Sequence, residues 1–391
     1  MNTTEKKTLL ELLSEIPDHR KGNAIKHSLT DVLTIGILAI LCNANTFVGM
    51  QLFGETHYDE LKTVLELPYG IPSHDVFGDI FSRVDAESVA RCFELWLSDF
   101  QEALKESKSE NEQVIAIDGK TIRRSQSEKH RAHHVVTAYS SDFQLVLGQL
   151  CTEEKSNEIK AIPQLLKLLT LRGSTVTIDA MGTQRDIAQT IIEKDSDYIL
   201  ALKENQGGLL EMAQYVAEAE LADTPQDELL AQHRYAETLE KDHGRIEKRE
   251  CWLFPDFADE TIRRQWAGIS GAALIRSTRT VMSTGETSSA FHWYIYSNKS
   301  LNATEMLHLQ RKHWRIENNL HWMLDVVFHE DNAHVRLGHA AVILNMFRKL
   351  CLQLLKSDTS VKGSIQSKRL RCAWDFNFAL SVVLNHDVSR S

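Results

Sequence analysis

Apolar positions near the start of the chain recur with the period of a helix. Leu9, Leu10, Leu12, Leu13 and Ile16 form one stripe, which Pro17 ends. Asp31 reads as the N-cap of an apolar helix beginning at Val32, and another helix is expected over Ala86–Glu106. The polar stretch Lys105–Glu112 then marks a boundary, so residues 1–108 are expected as a helical N-terminal domain. Beyond it the period shortens. Val114–Ile117 is a β-branched, apolar run ending in Asp118-Gly119-Lys120, the pattern of a buried strand. Strands are also expected at Val135–Tyr139, Gln144–Leu150, Thr175–Ile178 and Tyr198–Leu202, with helices over Ile159–Leu169 and Gln184–Glu193. This is a mixed α/β order.

After Gly207-Gly208 the rhythm changes again. An acidic helical stretch leads into alternating segments at Arg249–Leu253, Ala272–Thr280 and Phe291–Ser297, which predict antiparallel strands. We read 109–207 as the first part of a core, 208–290 as a mainly β insertion, and 291–391 as the second part of the core with C-terminal helices. A long helical tract is expected from Ala303 to about Leu355.

The longest apolar run, Val32–Cys42, is too short to span a bilayer, and no signal peptide is evident, so a cytoplasmic address is expected. Six cysteines lie far apart with no C-x-x-C pair, which removes the usual zinc-ribbon patterns and predicts scattered reduced thiols. The formal charge of −10 argues against a nucleic-acid partner if charge is averaged over the surface. Its distribution is uneven. Val114–Tyr139 carries five Lys/Arg against two acids, and Met346–Cys372 carries seven against Asp358 alone, while acid concentrates in Glu204–Glu240. A polarised molecule or a set of ordinary solvated faces fits that pattern.

Two aspartates are placed for chemistry. Asp118 and Asp179 each follow a buried strand by one residue, and strand ends are where ligands sit in open α/β sheets. Carboxylates converging there suit a hard cation such as Mg²⁺; the alternative is that each caps a turn. On a helix, His313, Glu317, His321 and Asp325 fall four residues apart and form one polar stripe, either facing a site or solvated. His313, Glu317 and His321 do not have zinc-protease spacing, since no water-activating Glu stands between the ligands. The loop histidines His130, His133 and His134 fit phosphate contact or plain surface exposure better than metal binding. Phosphate loops and a G-x-S-x-G elbow are absent.

The motifs themselves resemble a known family. Ile115-Ala116-Ile117-Asp118-Gly119-Lys120-Thr121-Ile122-Arg123-Arg124-Ser125 is similar to the first-aspartate motif of the H-repeat-associated insertion-sequence transposases. Thr177-Ile178-Asp179-Ala180-Met181-Gly182-Thr183-Gln184 is similar to their second. Lys203–Gln206, Asp242–Glu247, His313–Asn318, Leu320–Val326 and Glu330-Asp331 resemble further motifs, and the likeness covers nearly the whole chain. It implies a ribonuclease-H-like (retroviral-integrase-like) core interrupted by a β insertion, with Asp118, Asp179 and Glu317 as catalytic, metal-holding acids. It further implies two Mg²⁺ ions, for which Mn²⁺ can substitute, DNA strand cleavage and strand transfer, and at least a homodimer assembled on DNA. Lys120, Arg123, Arg124, Lys129, Arg131, Arg315 and His321 are the expected DNA contacts. Related transposases carry a Tyr-Arg-Glu-Lys signature around the glutamate; Gln310, His313 and Leu324 stand at those positions here. Two other functions are compatible with the sequence: a DNA-binding relic that no longer transposes, and a plain metal-dependent nuclease.

Overall fold

The computed structural model describes residues 7–22, 25–105, 113–126, 131–152, 157–242 and 244–384. Nine strands form one mixed sheet: β1 (Val114–Thr121), β2 (His134–Ser140), β3 (Leu145–Thr152), β4 (Thr175–Ile178), β5 (Asp197–Leu202), β6 (Tyr235–Asp242), β7 (Arg245–Phe254), β8 (Gly271–Val281) and β9 (Thr287–Tyr296). Their order is β3-β2-β1-β4-β5-β9-β8-β7-β6. β1, β4 and β5 run parallel, and every other pairing is antiparallel. The parallel strands are apolar on both faces because helices cover both sides, so they read as continuous Val/Ile runs. The segment expected as an insertion joins the same sheet through β9, which straddles its expected end at residue 290: β8 pairs with β9, and Trp293 of β9, in the second part of the core, pairs with Leu202 of β5. β6, a fourth strand of that segment, was not among the expected ones; its Glu237, Glu240 and Lys241 make it too polar to stand out from the acidic stretch before it.

The N-terminal helices do not form a separate core. Helix Ala340–Ser357 packs against Leu29–Leu41, His74–Arg83 and Ala86–Lys105, and against β3. One apolar cluster runs from Leu9 through Ile37 and Phe81 to Ile117, Phe347 and Val382. The expected boundary lies, from residue 106 onward, outside the described residues. Helix Leu29–Leu41 begins earlier than Asp31 suggested. Ser28 is its N-cap, accepting the Asp31 N–H at 3.0 Å, and Asp31 sits in the first turn, where its charge favours the helix dipole. No disulfide links the cysteines of the described residues, and Cys92, Cys251, Cys351 and Cys372 are buried. No helix among the described residues is long and apolar enough to cross a membrane.

The basic run Met346–Cys372 is largely internal. Arg348 and Lys349 are 1% and 2% exposed, and Lys368 and Arg369 are also buried. Lys349 Nζ donates to Thr137 and Gln149, while Arg369 donates to the Val327 and Ile40 carbonyls and stacks over Phe328. Lys349 ties its helix to β2 and β3 and Arg369 ties helical segments to one another, so the run is not the basic surface that its composition suggested.

Candidate metal centre

Asp118 and Asp179 stand on neighbouring strands. β1 and β4 are in parallel register through Ile117 opposite Ile178, so the next residue of each strand is an aspartate at the same edge of the sheet. Asp118 lies within β1 instead of beyond it, because pairing with β2 continues to Thr121 after pairing with β4 has ended. Its Oδ1 accepts the Gly119 N–H at 2.9 Å. Asp179 caps the turn Ala180–Gly182, accepting N–H groups of Met181 at 3.1 Å and Gly182 at 3.4 Å on Oδ1. Turn-capping and proximity to Asp118 therefore coincide in one side chain.

The expected long helical tract changes its winding around Glu317. An α-helix covers Ala303–His313, and the chain then winds as π-helix over Glu317–His321 and Met323–Val327. The Trp322 N–H reaches back five residues to the Glu317 carbonyl, and the Phe328 N–H to Met323 at 3.1 Å. His329, with φ of 53°, turns the chain, and α-helix resumes only at Ala340. Single π turns recur at functional sites because they re-aim side chains within a helix.

The polar stripe nevertheless converges on the strand ends. His313 Nδ1 lies 2.9 Å from Thr177 Oγ1 of β4. His321 Nδ1 lies 3.3 Å from Asp118 and 3.6 Å from Glu317. Asp325 pairs with Lys120. Asp118, Glu317 and His321 offer ligand atoms that all lie within 4.8 Å of one another. Asp179, expected as a ligand, is not in that group, nor is His313, which Thr177 engages.

Charge accounts for the protonation of this cluster. Burial opposes ionisation of Asp118, yet the His321 and His313 imidazoles outweigh it and hold the carboxyl below its ordinary range. Burial likewise disfavours charge on His321, but the carboxylates of Asp118 and Glu317 raise its pKa. Burial lowers the pKa of His313. Asp179 is pushed up by burial and then by the like charges of Glu158 and Asp118. His321 Nε2 is buried without a hydrogen-bond partner.

A second polar layer supports the first. Lys120 Nζ bridges Asp325 and Glu330, the latter at 3.0 Å, and the fully buried Glu330 also accepts from Asn345 at 2.9 Å and Arg348 at 3.4 Å. Lys120 is thus engaged by protein carboxylates, not free for phosphate as expected. On the other side, His134 is buried in β2, its Nε2 3.0 Å from Glu158 and its Nδ1 3.1 Å from Thr121. Sequence reasoning missed Glu158: it begins a helix with no spacing relation to the aspartates. A methyl group on Gly119 would lie 2.3 Å from His134 Nε2 and 2.7 Å from the Glu158 carboxyl. Gly119→Ala should therefore lower the unfolding free energy by about 1–3 kcal/mol, read as a lower urea midpoint.

The remaining expected DNA contacts are dispersed around this centre. Arg123 is exposed and pairs with Asp331 at 3.0 Å, and Arg124 lies 2.8 Å from His334. Arg131 is exposed, while Lys129 and His130 lie outside the described residues. Arg315 is exposed and donates to the Ser141 carbonyl at 3.2 Å. His321 is buried between acids.

Adjacent parallel strands ending in Asp118 and Asp179, with Glu317 and His321 close to Asp118, present a candidate acidic centre. Residues 109–354 match the transposase DDE domain family, and residues 10–97 match its associated N-terminal family. The chain belongs to the DDE transposase family. It is 35% identical over 391 residues to the "H repeat-associated putative transposase YhhI" of Escherichia coli (strain K12), covering 98% of this chain and all of that protein. It is also 35% identical to the "Putative transposase YncI" of Escherichia coli O157:H7, covering 94% of this chain and 92% of the relative. A cryo-EM structure of a piggyBac transposase synaptic complex with hairpin DNA aligns over 95% of this chain and 75% of its own, with a TM-score of 0.45 and 11% identity, a likeness too loose to argue from.

Proposed function

We propose that this transposase cleaves DNA at the ends of an insertion-sequence element and joins the freed strand to a target, with Asp118, Asp179 and Glu317 as its acid triad. The observation carrying this reading is the β1–β4 register, which ends two adjacent parallel strands in aspartates on the side approached by Glu317 and His321. The order β3-β2-β1-β4-β5, with β2 alone antiparallel to the rest, supports a ribonuclease-H-like core. β6–β9 then correspond to the β insertion between the second aspartate and the glutamate.

The donor set suits a hard divalent cation: Asp118 and Glu317 offer carboxylate oxygens within 4.8 Å of one another beside His321, Asp179 stands at the end of the neighbouring strand, and Glu317 is exposed. Asp118, Asp179 and Glu317 would hold Mg²⁺, with Mn²⁺ able to substitute, and such ions polarise a phosphate and lower the pKa of an attacking hydroxyl. The chain's own part is positioning. The Met181 and Gly182 N–H groups fix Asp179 by one oxygen and leave the other for a ligand. His321 offsets the repulsion between Asp118 and Glu317. Arg123, Arg124, Arg131 and Arg315 are the exposed cations suited to DNA phosphates. Pairing two element ends calls for at least two protomers on DNA.

The test is a plasmid bearing a matched pair of terminal repeats, incubated with protein and Mg²⁺. Nicks at the element ends together with joined strand-transfer products support the proposal. Nicks without joints would indicate a plain nuclease, and binding without nicks a relic. In the same assay Glu317→Gln should lose activity on the order of a hundredfold or more, whereas Asp325→Asn, whose carboxylate serves Lys120, should lose less than about tenfold. The reverse ranking would transfer the third-acid role to Asp325.

A further inference from the structure

The outer strands extend well past the core. β5 ends at Leu202, opposite Trp293, so Thr287–His292 of β9 project beyond it at the same edge of the sheet where Asp118 and Asp179 lie. Six residues of strand extend about 20 Å. One face of this projecting sheet looks toward helix Ala303–His313. Near the core that face is apolar, with Cys251, Leu253, Ala273 and Ile275 packed on Met306 and Leu307. Two-residue alternation carries the same face outward into Arg249, Glu247 and Arg245 of β7 and Ser277 and Arg279 of β8. There the sheet and helix part, and a cleft of about 940 Å³ opens between them. Its other wall includes Trp314, Arg315 and Asn318, the residue after Glu317.

The lining has a distinctive chemistry. Arg245, Arg249, Arg279, Arg311, Lys312 and Arg315 line it together with one acid, Glu247, with Ser277 and Ser288 on the same face and the half-exposed Trp314 at the end near Glu317; Glu240 at the rim pairs with Arg249 and Arg311, and Asp142 with Lys312. Three guanidiniums converge on the Glu247 carboxylate: Arg245 at 3.1 Å, Arg279 at 3.1 Å, and Arg249. Three arginines are thus held side by side around one carboxylate. Cations, hydroxyls and one exposed ring, without an apolar floor, suit a sugar–phosphate backbone.

We propose that this cleft guides a strand of DNA into the carboxylate centre, its phosphates held by Arg245 and Arg279 in company with Glu247. The proposal rests on the transposase reading and deepens it by assigning a DNA path to the outer sheet.

Binding is measured by fluorescence anisotropy in EDTA, using a fluorescein-labelled 30-base single strand and the corresponding duplex across a salt series. The double variant Arg245→Ala/Arg279→Ala should bind at least about tenfold more weakly than the wild type. Its plot of log affinity against log salt should be shallower by about 1.4 for the single strand, as expected for two lost phosphate contacts. Ala290→Glu, which adds an acid to the exposed cleft wall and leaves the arginine pairs intact, should also weaken binding, so a folding defect in the double variant would not obscure the result. Wild-type affinity and slope in Ala290→Glu, or in a folded double variant, would overturn the cleft assignment. If the wild type nicks element ends and the cleft variants bind DNA unchanged, only the path is wrong; if the wild type neither binds nor nicks, the transposase chemistry itself fails.

Discussion

Asp118→Asn should give a folded protein in which the Mg²⁺-dependent DNA cleavage proposed above falls on the order of a thousandfold or more. Asparagine keeps the size of the side chain and an oxygen able to accept the Gly119 N–H, so β1 retains its local bonding. The substitution removes the negative charge that a divalent ion and His321 both need. Asp179→Asn should behave alike, because an amide oxygen can still accept from Met181 and Gly182 while the anionic ligand is lost. Nicking of an end-bearing plasmid measures the loss, and an unchanged thermal midpoint shows that the fold survives. Full activity in either variant would remove that residue from the triad.

Glu330→Gln has its largest effect on stability. Glu330 is wholly buried, and burial opposes its ionisation, but Lys120, Arg348 and Asn345 outweigh that cost and bring its pKa down to about 2. Removing this charge leaves two buried cations without their shared counter-ion, which costs about 3–5 kcal/mol. A carboxyl with a depressed folded pKa stabilises fully above its unfolded value of 4.5, and that contribution is lost as pH falls toward about 2. Urea unfolding at pH 7 should show the full deficit of the variant, and the gap to the wild type should narrow progressively below pH 4.5. A gap that stays constant down to pH 3 would mean that Glu330 does not carry the charge assigned to it.

Glu330 also connects stability to the candidate centre. Through Lys120 it reaches Asp325, one turn beyond His321, so the second layer braces the segment that carries Glu317. Lys120 was expected to contact phosphate because it follows Asp118 in a basic stretch. Its role depends on Glu330, which is 210 residues away, and no local pattern encodes that meeting.

Local patterns did mark the strand–aspartate junctions, since an apolar β-branched run followed by Asp and a small residue is visible within six positions. They also marked the polar stripe His313, Glu317, His321 and Asp325, whose convergence survives although the helix beneath it becomes π-helical. That change of winding was not legible, because it comes from tertiary demand: the side chains must reach β1 and β4 while Ile316, Leu320 and Leu324 stay in the core. Charge runs misled in both directions. The cationic run Met346–Cys372 is mostly interior, whereas the basic cleft is assembled from β7, β8 and helix Ala303–His313, distant segments with many intervening acids.

The sequence by itself determined the α/β rhythm, the likeness to a transposase family and the identity of the candidate acids, because periodicity and short motifs are properties of contiguous residues. The tertiary structure alone decided which charges are buried, which cation answers which carboxylate, and that the outer strands stand beside the aspartates. Those depend on sheet register and on contacts between residues hundreds of positions apart, where Coulomb energy and desolvation are set by distance in space.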